Sequence, residues 1–219
     1  MIKLTEILLE QTYFQSIMNA IYPTIIGDDI ISFDMGCSSK SEGKYKNLKT
    51  LYDTLVKKDI INYGDTIVQI RGSKQQLYIT SDGVQTETYK ISTGAKGFSN
   101  KKDSSKTPIG LCYIEKVITT SDKYEVIIGG SETDTILGPN KPGGRKNHCA
   151  EVTTGALTLT GAEPCNKNMR NRHIYIHGTN REKYLGQKAS GGCIRISNDD
   201  ILKLTQLLSR GTYVYITQY

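Results

Sequence analysis

Residues 66–93, TIVQIRGSKQQLYITSDGVQTETYKIST, set the strongest limit on what this chain can become. Three runs, TIVQI, QQLYIT and ETYKIST, alternate apolar and polar residues and are rich in Ile, Tyr and Thr. RGSK and SDG separate them. This predicts consecutive β-hairpins, because β-branched and aromatic residues at period two suit a pleated surface. The same texture resumes at LCYIEKVIT, KYEVIIGG, ALTLT, HIYIH and TYVYITQY, so the expected fold is mainly β with a few helices. KGFSNKKDSSKTPIG and the basic, Gly/Pro-rich GPNKPGGRKNHC read as loops between strands.

The first 64 residues read differently. Ile2, Leu4, Ile7, Leu8, Ile17, Met18 and Ile21 form a helical stripe that ends before Pro23. GCSSKSEGKYKN is a polar loop, and LKTLYDTLVKKDII reads as a second amphipathic helix that stops near Asn62 to Gly64. The pattern therefore divides the chain into a helical N-terminal cap or appendage, residues 1–64, and a β-rich domain, residues 65–219. Near the end, DDILKLTQLLSRG reads as a short helix with Asn198 as its N-cap and Gly211 as its stop. No run approaches 18 apolar residues, so no transmembrane segment is expected. The N-terminus is a poor signal peptide, since Glu6 and Glu10 interrupt its apolar run.

The formal net charge is +6, and the window from Lys141 to Lys188 alone holds nine Lys/Arg against three Glu. Such a surface suits an anionic partner: a carboxylate-rich polymer, nucleic acid or a membrane face. The five cysteines, Cys37, Cys112, Cys149, Cys165 and Cys193, show no C-x-x-C spacing. In a chain of 219 residues they are not a disulfide framework, and an odd number leaves at least one thiol free in a monomer. Cys149 and Cys165 are a candidate pair in an oxidising compartment.

The chemistry concentrates in HGTNREKYLGQKASGGCIRISN, residues 177–198. A thiol of pKa about 8.5 is a weak nucleophile until a base takes its proton or positive charge stabilises the thiolate. His177 can be that base for Cys193. Gly191 and Gly192 leave space for a substrate carbonyl, and the main-chain N–H groups of a glycine turn can hold an oxyanion. Ser190 can hydrogen-bond within the turn or to substrate. Arg195 is a candidate carboxylate clamp or site-bracing ion. The competing reading is an inert, buried Cys193. His173, Tyr175 and His177 share one face of a strand and are candidates to line a cleft. Zinc is disfavoured for the two histidines, because residues four apart on a strand lie roughly 13 Å from each other. His148 and Cys149 add no recognised metal spacing.

The order H-G-T-N, then S-G-G-C-I-R-I, resembles the signature of the L,D-transpeptidase (YkuD-type) catalytic domain, the match falling on His177, Gly178, Ser190, Gly192, Cys193, Ile194 and Arg195. KTPIG is similar to that family's Thr-Pro-x-Gly element, and the opening hairpins fit too, so the resemblance covers roughly residues 65–219. One departure is Gly191, where the family frequently has histidine. The resemblance implies a YkuD-like β-sandwich and a cysteine acyltransferase acting on peptidoglycan stem tetrapeptides. Cys193 would be the nucleophile, His177 the base, the Gly178 carbonyl the holder of the imidazole, and the main-chain amides of Gly192 and Cys193 the oxyanion donors. The implied partners are donor and acceptor stem peptides, with no nucleic acid, cofactor or metal, in the cell envelope (periplasm or cell wall). With water as acceptor the same site would be an L,D-carboxypeptidase. The reading from another class is a non-catalytic basic cell-wall-binding module.

Overall fold

The computed structural model describes residues 47–120, 123, 125–128, 135–139 and 152–219. The helix expected at 2–22, Cys37, His148, Cys149 and most of the basic loop GPNKPGGRKNHC lie outside the described residues. Helix α1 spans Leu48–Lys57. Asn47 caps it, its Oδ1 accepting from the main-chain N–H of Lys49 at 2.8 Å and of Thr50 at 3.3 Å. Leu48, Leu51, Tyr52 and Leu55 form the buried stripe that the spacing predicts.

Strands β1 (Thr66–Arg71), β2 (Gln76–Ser81) and β3 (Val84–Lys90) are the expected hairpins. Asp82 and Gly83, with φ of 51° and 73°, make the two-residue turn between β2 and β3, the arrangement that matches strand twist. Then follow β4 (Gly110–Thr119), β5 (Glu125–Ile128), β6 (Thr135–Pro139), β7 (Val152–Gly161), β8 (Tyr175–Thr179), β9 (Ile194–Ile196), helix α2 (Asn198–Leu207) and β10 (Tyr213–Thr217). The main sheet runs β3-β2-β1-β10-β4-β7-β5-β6, and β8 joins β7 and carries β9 on its other edge.

The central strands are buried on both faces, Gln69 of β1 included, although TIVQI alternates apolar and polar residues in the sequence. Val68, Ile70, Cys112, Ile114, Val214 and Ile216 face one way and pack with Ile176 of β8, Ile194 and Ile196 of β9, and Ile201 and Leu204 of α2. Ile67, Leu111 and Tyr215 face the other way and receive Leu51, Tyr52 and Leu55 of α1. Each such leucine removed from water contributes about 1.5–3 kcal/mol. Thus α1, the last helix of the N-terminal stretch, covers one side of the sheet, while β8, β9 and α2 cover the other.

Several boundaries differ from expectation. The strand read as HIYIH starts two residues later, because His173 has φ 50° after a 3-10 turn at Arg170–Arg172. The N-cap of α2 is Ser197, whose Oγ accepts from the Asp200 N–H at 3.1 Å; Asn198 is the first helical residue. The helix stops at Leu207, before Gly211. Strands β6 and β9 were not expected. Among the described residues no helix is long and apolar enough to cross a membrane.

Candidate active site

Strands β8 and β9 bring the two halves of the motif together. They pair in parallel, Ile176 with Ile194, His177 with Arg195 and Gly178 with Ile196. Paired residues in a parallel ladder share a face, so His177 and Arg195 lie on the side opposite the three isoleucines of the core. Continued by one residue beyond Ile176 and Ile194, the register sets Cys193 beside Tyr175 on that same side. A diagonal neighbour of this kind lies about 8 Å away between Cα atoms, close enough for an imidazole and a thiol to meet.

His177 is buried, at 3% exposure. Its Nδ1 lies 2.7 Å from the Gly178 carbonyl oxygen. Burial, reinforced by Arg195, pushes its pKa down to about 4 despite the opposing pull of that carbonyl. The ring is therefore neutral near pH 7. A carbonyl only accepts, so Nδ1 carries the proton and Nε2 holds the free lone pair.

The Cys193 thiol is half-buried and donates to the His173 carbonyl at 3.1 Å. Burial pushes its pKa up; the Tyr175 main-chain N–H donating to the sulfur and the guanidiniums of Arg195 and Arg172 pull the other way. The resting pair is a neutral thiol and a neutral imidazole, with two fixed cations ready to stabilise a thiolate. Arg195 is 8% exposed; its Nη1 donates to the Ala189 carbonyl at 3.0 Å, and its main chain exchanges hydrogen bonds with Ser92.

The turn before the thiol is closed from within. Ser190 Oγ donates to the Cys193 carbonyl at 2.5 Å and accepts from the Gly192 N–H at 3.1 Å. The Gly192 carbonyl accepts from Thr107 Oγ1 at 2.9 Å, which ties the KTPIG element to the nucleophile turn. Gly192 has φ 133°, and a Cβ there would stand 3.1 Å from the Lys106 carbonyl oxygen, so the turn requires glycine. Gly191 is exposed, with nothing within 4 Å of the position its Cβ would take. Tyr175 is half-buried and its hydroxyl lies 3.2 Å from Nδ1 of the exposed His173. Gly178 lies inside β8, although a glycine in a strand is usually a weak point.

Arg172 carries no sequence signal, standing in the surface run RNR. Its Nη1 donates to the Ser99 carbonyl at 3.1 Å, and Nη2 to the Lys106 carbonyl at 2.6 Å and to Ser104 Oγ at 3.3 Å. It straps the loop before Thr107 to the thiol's neighbourhood. Among the described residues Cys112 is the other free thiol, and Cys165 is disulfide-bonded.

The profile of the YkuD family, the L,D-transpeptidase catalytic domain, matches residues 65–216. Over 42 residues the chain is 52% identical to the putative L,D-transpeptidase YqjB of Bacillus subtilis, covering 19% of this chain and 24% of that protein. Over 50 residues it is 42% identical to the putative L,D-transpeptidase YkuD of Bacillus licheniformis, covering 23% of this chain and 30% of the relative. These matched stretches span about a quarter to a third of the relatives' lengths. Among solved structures, an L,D-transpeptidase from Mycobacterium smegmatis superposes on 70% of this chain and 58% of its own, at 15% identity and a TM-score of 0.44. With the family profile matching residues 65–216, well over half of the chain and both halves of the histidine–cysteine motif, the chain belongs to the YkuD family of L,D-transpeptidase catalytic domains.

Proposed function

We propose that this protein is a cysteine-dependent L,D-transpeptidase of the cell envelope, acting on peptidoglycan stem tetrapeptides through a thioester. The carrying observation is the shared face of β8 and β9, with His177 Nδ1 committed to the Gly178 carbonyl at 2.7 Å and the Cys193 thiol beside the same strand. The donor carbonyl belongs to the third, L-configured centre. As Sγ attacks it, the thiol proton passes to His177 Nε2, and the carbonyl π electrons move to oxygen. The Cys193 main-chain N–H is the oxyanion donor in this reading, because the Gly192 N–H already serves Ser190 Oγ.

Collapse breaks the C–N bond to D-alanine, and the imidazolium gives its proton to the leaving amine. An acceptor amine from a second stem then attacks the thioester, the imidazole removes the amine's proton, and Cys193 is released as a 3→3 cross-link forms. Arg195 and Arg172 favour both the passing thiolate and a carboxylate-bearing substrate.

Incubation with purified disaccharide-tetrapeptide, read by mass, tests this. The expected products are free D-alanine and a cross-linked dimer, both absent with Cys193→Ala. D-alanine release without dimer makes the site an L,D-carboxypeptidase, and release that persists in Cys193→Ala removes the thiol from the mechanism.

A further inference from the structure

Opposite His177 and Gly178, the partner strand is irregular. Thr153 of β7 pairs with Gly178 and Ala156 with His177, so Thr154 and Gly155 are inserted where β8 has no counterpart. Thr154 takes φ 71°, a conformation that a β-branched residue resists. One buried carboxamide holds this bulge. Asn198 Oδ1 accepts from Thr153 Oγ1 at 2.7 Å and from Thr154 Oγ1. Its Nδ2 donates to the Thr179 carbonyl at 2.7 Å and to Glu182 Oε1 at 2.6 Å, and its main-chain N–H reaches the same Glu182 oxygen at 2.8 Å.

Asn198 is 0% exposed, and both ends of its amide are fully used. It joins β7, β8, the turn at Glu182–Tyr184 and α2 in one network. Gly178 sits inside that network: a Cβ on it would stand 2.3 Å from the Thr153 carbonyl oxygen and 2.8 Å from Asn198 Oδ1. The bulge therefore lets β7 close onto Gly178, whose own carbonyl holds His177.

We propose that Asn198, held by Glu182, is a positioning residue that fixes the Gly178 peptide and, through its carbonyl, the orientation and tautomer of the His177 ring. The proposal rests on the reading of His177 as general base. Asn198 does not cap α2, since Ser197 does that, so its burial at the helix start serves another purpose. A buried polar network of this kind is costly when half-satisfied and rigid when complete. Rigidity is what an imidazole needs in order to present Nε2 on one trajectory.

Ring nitrogen NMR of His177 in the full chain, assigned by loss of its signals in His177→Gln, reports the tautomer. Turnover of disaccharide-tetrapeptide gives kcat and KM separately. In the wild type the neutral ring is expected as a single Nδ1–H form. Asn198→Ala should mix the tautomers and lower kcat on the order of a hundredfold, with KM changed less than about threefold. Glu182→Ala should do the same to a smaller degree, and Glu182→Gln, whose amide oxygen still accepts both Asn198 donors, should restore most of it. If Asn198→Ala shows no cooperative unfolding transition, the half-buried Glu182 pair decides the outcome. Folded variants that keep one tautomer and wild-type kcat overturn the proposal, as does a loss of stability alone. Should His177→Gln retain turnover, the base assignment fails, while the tautomer measurement still tests Asn198.

Discussion

Cys112 and Cys193 are both free thiols whose pKa is raised by burial, yet they occupy opposite kinds of surroundings. Cys112 lies on β4 inside the sheet, 0% exposed, its thiol donating to the Val214 carbonyl at 3.2 Å, and the buried Glu163 adds to burial in raising its pKa. A thiolate there would gain no cation. Cys193 lies at the rim formed by β8 and β9, where a main-chain N–H and two guanidiniums oppose the effect of burial. Burial makes both thiols resting thiols; only the rim supplies cations to balance the negative charge that a departing proton leaves behind. The interior offers a thiolate at Cys112 no cation, whereas the rim offers Cys193 two.

The widest separation between the two should appear in turnover. Cys193→Ala is expected to lower D-alanine release on the order of ten-thousandfold or more, since covalent catalysis has no substitute. Cys112→Ala should leave turnover per folded molecule unchanged and lower stability by about 1–2 kcal/mol, the result of a small cavity between β4 and β10. Loss of activity in Cys112→Ala with an intact unfolding transition would break the contrast.

Alkylation comes next. A small haloacetamide should modify Cys193 in the native protein, with a rate that rises with pH as the thiolate fraction grows, because the pKa is raised. Cys112 becomes accessible only through opening of the sheet, so its rate should be about a thousandfold lower or less. Peptide mapping of partially labelled protein reads both. Equal labelling would show that the interior opens as readily as the rim.

The interior was far more legible in the sequence than the rim. TIVQI and QQLYIT announce hairpin strands, with the SDG turn between β2 and β3 realised as Asp82-Gly83, because these depend on period and local turn chemistry; that β1 is buried on both faces was not legible. At the rim, His177 and Cys193 were visible through their motif, but the strand that aligns them was not. IRI is three residues long with a charge in the middle, and only its pairing with β8 makes it a strand. Gly178 looks like a breaker in the sequence, whereas its lack of a side chain is what lets Thr153 approach. Arg172 and the true task of Asn198 are set by residues 66 to 73 and 44 to 45 positions away, so no local pattern carries them.

His177 gives the rim a pH signature. Its pKa is about 4 in the folded chain and near 6.5 when unfolded, so between these values the unfolded chain binds a proton that the folded one refuses. The stability that His177 permits is whole above pH 6.5 and is lost as pH falls toward 4. The gap corresponds to about 3 kcal/mol, or roughly a hundredfold in the unfolding equilibrium. Urea unfolding at pH 7 and pH 4.5 should show this fall in the wild type and in Cys112→Ala, and a smaller fall in His177→Gln. Parallel behaviour of His177→Gln and wild type would mean that the imidazole is not held neutral by burial.

The finest difference concerns room for added atoms. At Gly161 of β7, paired with Cys112, a Cβ would stand 2.1 Å from the Asn166 carbonyl oxygen, so Gly161→Ala must displace main chain. At Gly191 the same Cβ would meet nothing within 4 Å, and no left-handed angle is required there. Its neighbour Gly192 has φ 133° and cannot be exchanged so freely. Gly191→Ala should therefore be neutral or stabilising by up to about 1 kcal/mol, because it restricts only the unfolded chain. Gly191→His should be accepted as well, since an imidazole at an exposed turn position needs no repacking. Thermal unfolding of the two variants checks this. A loss above about 1 kcal/mol in either would mean that the turn before Cys193 is as closely fitted as the sheet, and that the departure from histidine at this position answers to space.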